Sequence, residues 1–326
     1  MIQLIRNTNP LSLVLVVLYA FLIRCPMLFH SGVYNAVDYG QPLSFLTDVL
    51  CKVEPSNLWY HYVASTVIIL AIAFYFSQML STNKIVEKNG FLPAFLLILS
   101  ASLFSDFNFI SNELIAFVLV FISVIILYNT LLNDSKHSGL FDAAFFMGIG
   151  AMIYNPIFLL FFTVLASIIL LRTVQLRDLL ITIIGFFVPV FLVGTYCFMI
   201  GRLSLFCSHL LPSMTVDFQL INKGEVWEYI KLILFGIFVV LGVLKGQAES
   251  GKTIVTVRKF YSISLLLVIG IALSLFFSGT LKVTAFIYFS IPFSFYLYTS
   301  VKDLKRIWIA ELIHVILIGL IFFTSI

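Results

Sequence analysis

The carboxylate best placed for chemistry is Asp38, in the loop YNAVDYGQP (34–42) between two aromatic residues. A carboxylate there could act as a general base that takes the proton from an acceptor hydroxyl. It could equally be a solvated turn former ahead of Gly40 and Pro42. A second polar group stands at SDFNFISNE (105–113), where Asp106 and Glu113 flank a short turn with Asn108 and Asn112 between them. Two acids and two amides so close together suit a divalent cation or the hydroxyls of a sugar. The plain alternative is a helix start, capped by Ser111 or Asn112 with Glu113 in its first turn. Arg202, Lys223 and Lys231 fall in or beside residues 201–228 and could hold a phosphate or anchor at an interface.

Two further patterns look like chemistry and are read otherwise. GQAESGKT (246–253) fits the P-loop pattern GxxxxGK[ST] letter for letter. A working P-loop needs a strand before it and a helix whose N-terminus cradles phosphate after it. Here apolar, span-like runs stand on both sides, so no nucleotide is expected at 246–253. Glu311 and His314 share a helix face. Since His30, His61, His137 and His209 form no cluster with them, a helix–helix hydrogen bond is expected and no metal. Cys25, Cys51, Cys197 and Cys207 have no metal or redox spacing, and a pairing of Cys51 with Cys207 cannot be assigned.

The elements that must position these groups are apolar. The 326 residues are 61% hydrophobic, 16% aromatic and only 10% charged, with a mean hydropathy of +1.12. A soluble domain carries about 25% charged residues, so this chain cannot coat a water-facing surface. A soluble enzyme is excluded. Only helices and closed barrels satisfy the backbone in lipid, and the alternating short segments of a barrel are missing. The composition therefore predicts an all-α, polytopic transmembrane bundle, a single integral membrane domain over 1–326. The net charge of +4 is spread between apolar runs, so no nucleic-acid partner is expected.

Spans are expected near 11–29, 59–80, 91–104, 113–132, 179–200, 229–244, 261–278, 283–299 and 308–324. The run 143–171 is long for one crossing, and Asn155-Pro156 breaks it, since Pro removes a helix hydrogen bond and disfavours helix just before it. It reads as a tight hairpin with its tip at Tyr154-Asn155-Pro156, which brings the total to about eleven membrane segments. Counted that way with a cytoplasmic N-terminus, thirteen of the nineteen Lys and Arg fall inside, as the positive-inside rule requires. A single crossing at 143–171 erases that bias. The C-terminus is then exoplasmic. Two outer loops are long, 30–58 and 201–228, and Pro42 to Cys51 could form an amphipathic surface helix. Arg24, in the outer half of the first span, must pair or reach the interface.

The run FDAAFFMGIGAMIYNPIFLLFFTVLASIILLRTVQLRDLLITIIGFFVPVFLVGTYCFMIGRLSLF (141–206) resembles the middle of the GT-C class of membrane glycosyltransferases. There a Gly-rich helix (Gly148, Gly150) leads to a polar-Pro break (Asn155-Pro156) and an apolar arm. A basic inner loop (Arg172, Arg177) and a Gly…Pro helix (Gly185, Pro189) follow. FSDFNFISNELIAFVLVFISVIILYNTLL (104–132) is similar to the class's second outer turn and next helix. The resemblance covers roughly residues 10–206, with 207–326 as further membrane helices. It implies inverting transfer of a sugar from a polyprenyl-phosphate donor on the exoplasmic, periplasmic face of an inner membrane, as in cell-envelope assembly. The donor would enter from the bilayer, its phosphate held by outer-face cations and its reacting carbon near Asp38. Many members carry an Asp-Glu pair where Asp38 is followed by Tyr39. The competing classes are a non-catalytic scaffold subunit of an envelope complex, with membrane-protein partners, and a transporter of a lipid-linked substrate.

Overall fold

In hydrocarbon each backbone N–H and C=O has to pair within the chain, which makes helices of the apolar runs. The computed structural model describes residues 10–25, 58–83, 85–86, 90–103, 110–132, 137–171, 175–210, 226–277, 283–302 and 307–323. Among them are α1 (Pro10–Arg24), α2 (Leu58–Thr82), α3 (Leu92–Ser100), α4 (Asn112–Leu132), α5 (Ser138–Ile153) and α6 (Leu160–Leu171). There follow α7 (Leu176–Met199), α8 (Leu203–Leu210), α9 (Val226–Ser250), α10 (Val255–Phe277), α11 (Ser290–Lys302) and α12 (Ile307–Phe323). Two 3-10 segments, Asn155–Leu159 and Val283–Phe289, lead into α6 and α11. No strand occurs among the described residues. Five helices are long and apolar enough to cross a membrane: Trp59–Thr82, Asn112–Leu132, Leu176–Met199, Ile233–Ser250 and Val255–Phe276. Phe187, Phe191, Leu192 and Phe198 of α7 are exposed, as suits a face turned to lipid.

Close packing gives the helices their directions. Ser123 Oγ donates to the Ala143 carbonyl at 2.6 Å, and Gly139 abuts Thr130, so α4 and α5 are antiparallel. A Cβ at Gly148 would lie 2.5 Å from the Phe186 carbonyl oxygen, and one at Gly185 would lie 2.7 Å from that of Phe141. These reciprocal glycines let α5 and α7 run parallel at backbone contact, the arrangement small residues permit in membranes. His137 Nδ1 pairs with Asp178 Oδ1 at 2.5 Å, joining the starts of the same two helices. The chain between them therefore leaves one end of the bundle and returns to it. Phe161 of α6 stacks on Phe186 with centroids 4.2 Å apart, and Ser274 Oγ of α10 donates to the Pro156 carbonyl at 2.7 Å. The expected reversal at Tyr154-Asn155-Pro156 is present.

The same contacts gather basic helix ends. Lys259 Nζ donates to the Leu131 carbonyl and Lys245 Nζ to that of Ser300, both at 2.9 Å. Each lysine meets unpaired carbonyls in the last turn of a neighbouring helix, at the negative end of its dipole. The fold thus gives both lysines helix ends to cap. Reporter fusions at Lys136, Arg177 and Lys252 should all read the same side of the membrane. A split, with Arg177 and Lys252 opposite Lys136, would make 143–171 a single crossing.

Several boundaries differ from expectation. The span expected at 91–104 is a nine-residue helix buried along its whole length, about 14 Å long against a hydrocarbon core of roughly 30 Å. The span expected at 283–299 is broken, 3-10 before Ser290 and α after it. Beyond α7, Gly201 takes φ +70°; its N–H donates to Phe198 O and that of Arg202 to Cys197 O, a Schellman-type stop. The short helix α8 follows, with Phe206 against Gly194. The surface helix expected at 42–51 lies outside the described residues.

Candidate functional site

The first turn of α4 is built by its own side chains. Ser111 caps it, its Oγ accepting the N–H of Leu114 at 3.2 Å, so the capping expected of Ser111 or Asn112 falls to Ser111. Asn112 and Glu113 are then buried, at 3% and 7% exposed. Among the described residues, neither the amide oxygen nor the amide nitrogen of Asn112 has a hydrogen-bond partner. The Tyr288 hydroxyl donates to the Glu113 carbonyl at 3.0 Å. Its ring stacks on Tyr154, with centroids 6.0 Å apart and planes at 23°.

Tyr154 is the residue at which α5 stops, in an extended conformation (φ −140°, ψ 102°). Pro156 has no N–H and cannot continue the α-helix, and its carbonyl takes the Ser274 hydroxyl. Across the bundle Ser100 Oγ, at the end of α3, donates to the Ser290 carbonyl at 3.4 Å, where the second 3-10 segment becomes α11. Four chain discontinuities thus lie together: the end of α3, the start of α4, the break after α5 and the break before α11. Breaks in helices of so apolar a chain need their freed backbone groups satisfied by surrounding protein or water. Here the breaks surround an amide, a carboxylate and two phenols. All of this stands at the end of the bundle opposite the basic helix ends.

Of the expected site residues, Glu113 is in this cluster. Asp38, Asp106 and Lys223 lie outside the described residues. Lys231 is on α9, and Arg202 is exposed at the start of α8. Among the described residues no three His, Cys, Asp or Glu side chains gather as metal ligands. A cation at Glu113 would depend on Asp106. Arg24 is 1% exposed, so it is buried in the bundle and does not anchor at the interface. His314 accepts or donates a hydrogen bond with the Tyr19 hydroxyl at 3.0 Å and packs on Phe95, the helix–helix role expected of it.

Residues 246–250 are the last turn of α9, and Gly246 is a packing glycine: a Cβ would lie 2.6 Å from Tyr296 Cε1. Gly242, one turn earlier, meets the same tyrosine. The letters of the P-loop pattern therefore belong to a helix–helix contact and a turn.

The sequence reading missed Tyr154 and Tyr288 as site residues and missed the His137–Asp178 pair. Tyr154 sat in the recognised break. For Tyr288 the available signal was Pro292, which favours the first turn of a helix and so marks a fresh start near Ser290. Nothing in sequence pairs His137 with Asp178, forty-one positions apart.

Residues 40–326 match a protein family whose description reads only "family of unknown function". No curated protein and no solved structure matches the chain.

Proposed function

The chain belongs to that family, DUF6427; for its activity we propose a GT-C-like membrane glycosyltransferase using a polyprenyl-phosphate sugar. The observation that carries the reading is the depth of the broken segments. The α4 helix has 21 residues, about 31 Å, enough to cross the roughly 30 Å hydrocarbon core alone. The breaks meet its first turn, which in this reading puts them at the membrane boundary, where the headgroup of a lipid-linked sugar lies. A transporter keeps its discontinuous helices near the midplane, and this placement disfavours one.

In this reading the chain has about eleven membrane segments in an inner membrane, with a cytoplasmic N-terminus and an exoplasmic C-terminus. The basic helix ends are cytoplasmic and the broken end exoplasmic. The acceptor oxygen attacks the anomeric carbon from the face opposite the phosphate. Asp38 takes the hydroxyl proton as the carbon–oxygen bond to phosphate breaks, and polyprenyl phosphate leaves with the bond's electron pair. Inversion follows from that single displacement. Arg202, Lys223 and Lys231 hold the phosphate's charge, and Asp106 and Glu113 hold sugar hydroxyls or a divalent cation.

The test is transfer by the full chain in proteoliposomes, supplied in turn with a radiolabelled polyprenyl-phosphate hexose and a nucleotide hexose. Label should move to acceptor from the lipid donor only. Use of the nucleotide sugar would overturn the reading. Failure with every lipid donor, in a chain that still co-purifies with envelope proteins, would favour the scaffold. Lys252→Ala should leave transfer unchanged, because the helical setting of Gly246 offers no phosphate cradle. A specific loss of a nucleotide-dependent activity in that variant would contradict the outward-facing site.

A further inference from the structure

We infer that Asn112 reads the hydroxyls of the donor's sugar. The inference rests on the transferase reading and adds to it the residue that tells one hexose from another. A buried amide with neither atom bonded costs stability unless something else satisfies it. Asn112, 3% exposed, has no partner for either atom among the described residues. Its place on α4 says where a ligand would stand. A Cβ at Gly150 would touch Leu119 and the Ala116 carbonyl, so the stripe Asn112–Ala116–Leu119 faces α5. One turn past Gly150, α5 gives way at Tyr154 and Asn155. Asn112 is thus aimed at the break, at the end of a row that is otherwise packed.

The chemistry selects among ligands. An anion brings acceptors alone and would leave the amide oxygen without a donor. A hard cation wants six or more oxygens, and the amide nitrogen cannot ligate one. A pair of neighbouring hydroxyls takes one donor and one acceptor from an amide, satisfying both of its atoms. Epimers of a hexose differ in where those hydroxyls point, so a fixed amide distinguishes them.

The experiment uses the full chain in nanodiscs and a radiolabelled polyprenyl-phosphate glucose. Competitors are the mannose, galactose and 2-deoxyglucose counterparts and polyprenyl phosphate without a sugar. The wild-type chain should separate at least one pair of sugars by about tenfold, the worth of one net hydrogen bond. In Asn112→Ala and Asn112→Leu that separation should fall to about twofold or less, with affinity for sugarless polyprenyl phosphate unchanged. Both variants should melt no lower than wild type, because they remove an unsatisfied polar group. Lower melting in both would mean that Asn112 is satisfied structurally, for instance by an ordered water, and would overturn the inference. Unchanged discrimination would overturn it while leaving the transferase reading in place. A wild-type chain that binds none of the glycosylated lipids would bring down both.

Discussion

Asp38→Asn should lower the transfer rate by about 10²–10⁴-fold, the usual worth of a positioned general base. The acceptor hydroxyl must lose its proton as the sugar carbon is attacked. Within residues 30–58, outward-facing in the proposed topology, the candidate bases are few, and His30 has no evident partner acid in sequence. Asn keeps the size and hydrogen-bonding capacity of Asp and removes only its charge. Abundance in membranes and donor binding should therefore stay near wild type, and the loss should appear in turnover. Asp48→Asn, ten residues on, should do far less, because the proposal assigns it no proton. Initial rates of label transfer at saturating donor, with parallel binding measurements, decide the matter. Equal and mild effects from the two changes would reduce the outer acids to solvated loop residues and put the scaffold reading first.

The second large effect is structural. Gly148→Ala should destabilise the chain by about 1–3 kcal/mol, and Gly148→Leu by more, through overpacking. The added Cβ would lie 2.5 Å from a backbone oxygen and 2.8 Å from Pro189 Cγ. Neither neighbour can swing aside, since one is main chain and the other a ring in mid-helix. The control is Gly236→Ala on α9, where nothing stands within 4 Å of the new methyl. There Ala should be neutral or up to about 1 kcal/mol stabilising, from helix propensity alone. Melting in detergent, followed by loss of monodisperse protein, reads both. Equal behaviour of the two variants would mean that α5 and α7 are not packed through Gly148.

What was legible in the sequence is what lipid imposes on each segment separately. Long apolar runs must be helices, and Asn155-Pro156 must interrupt one of them because Pro156 has no N–H to give. The Lys and Arg count required that interruption to be a reversal, and the His137–Asp178 pair joins the two helix starts on one side. Glu113 stood out in the sequence because an acid beside two amides is conspicuous in so apolar a chain, and the structure buries it against Tyr288. The tertiary structure decided which groups on different segments meet. In a water-soluble bundle an apolar stripe tells which face of a helix points inward; here most segments are apolar all round, so no stripe marks a face. Rotation about each helix axis is set by contacts between segments, such as Gly148 on the Phe186 backbone and Gly246 under Tyr296. With 3.6 residues per turn, one residue of slip turns a side chain by about 100°. That rotation brought Tyr288 to Glu113 and left Asn112 buried without a partner among the described residues, and it cannot be read from either segment alone.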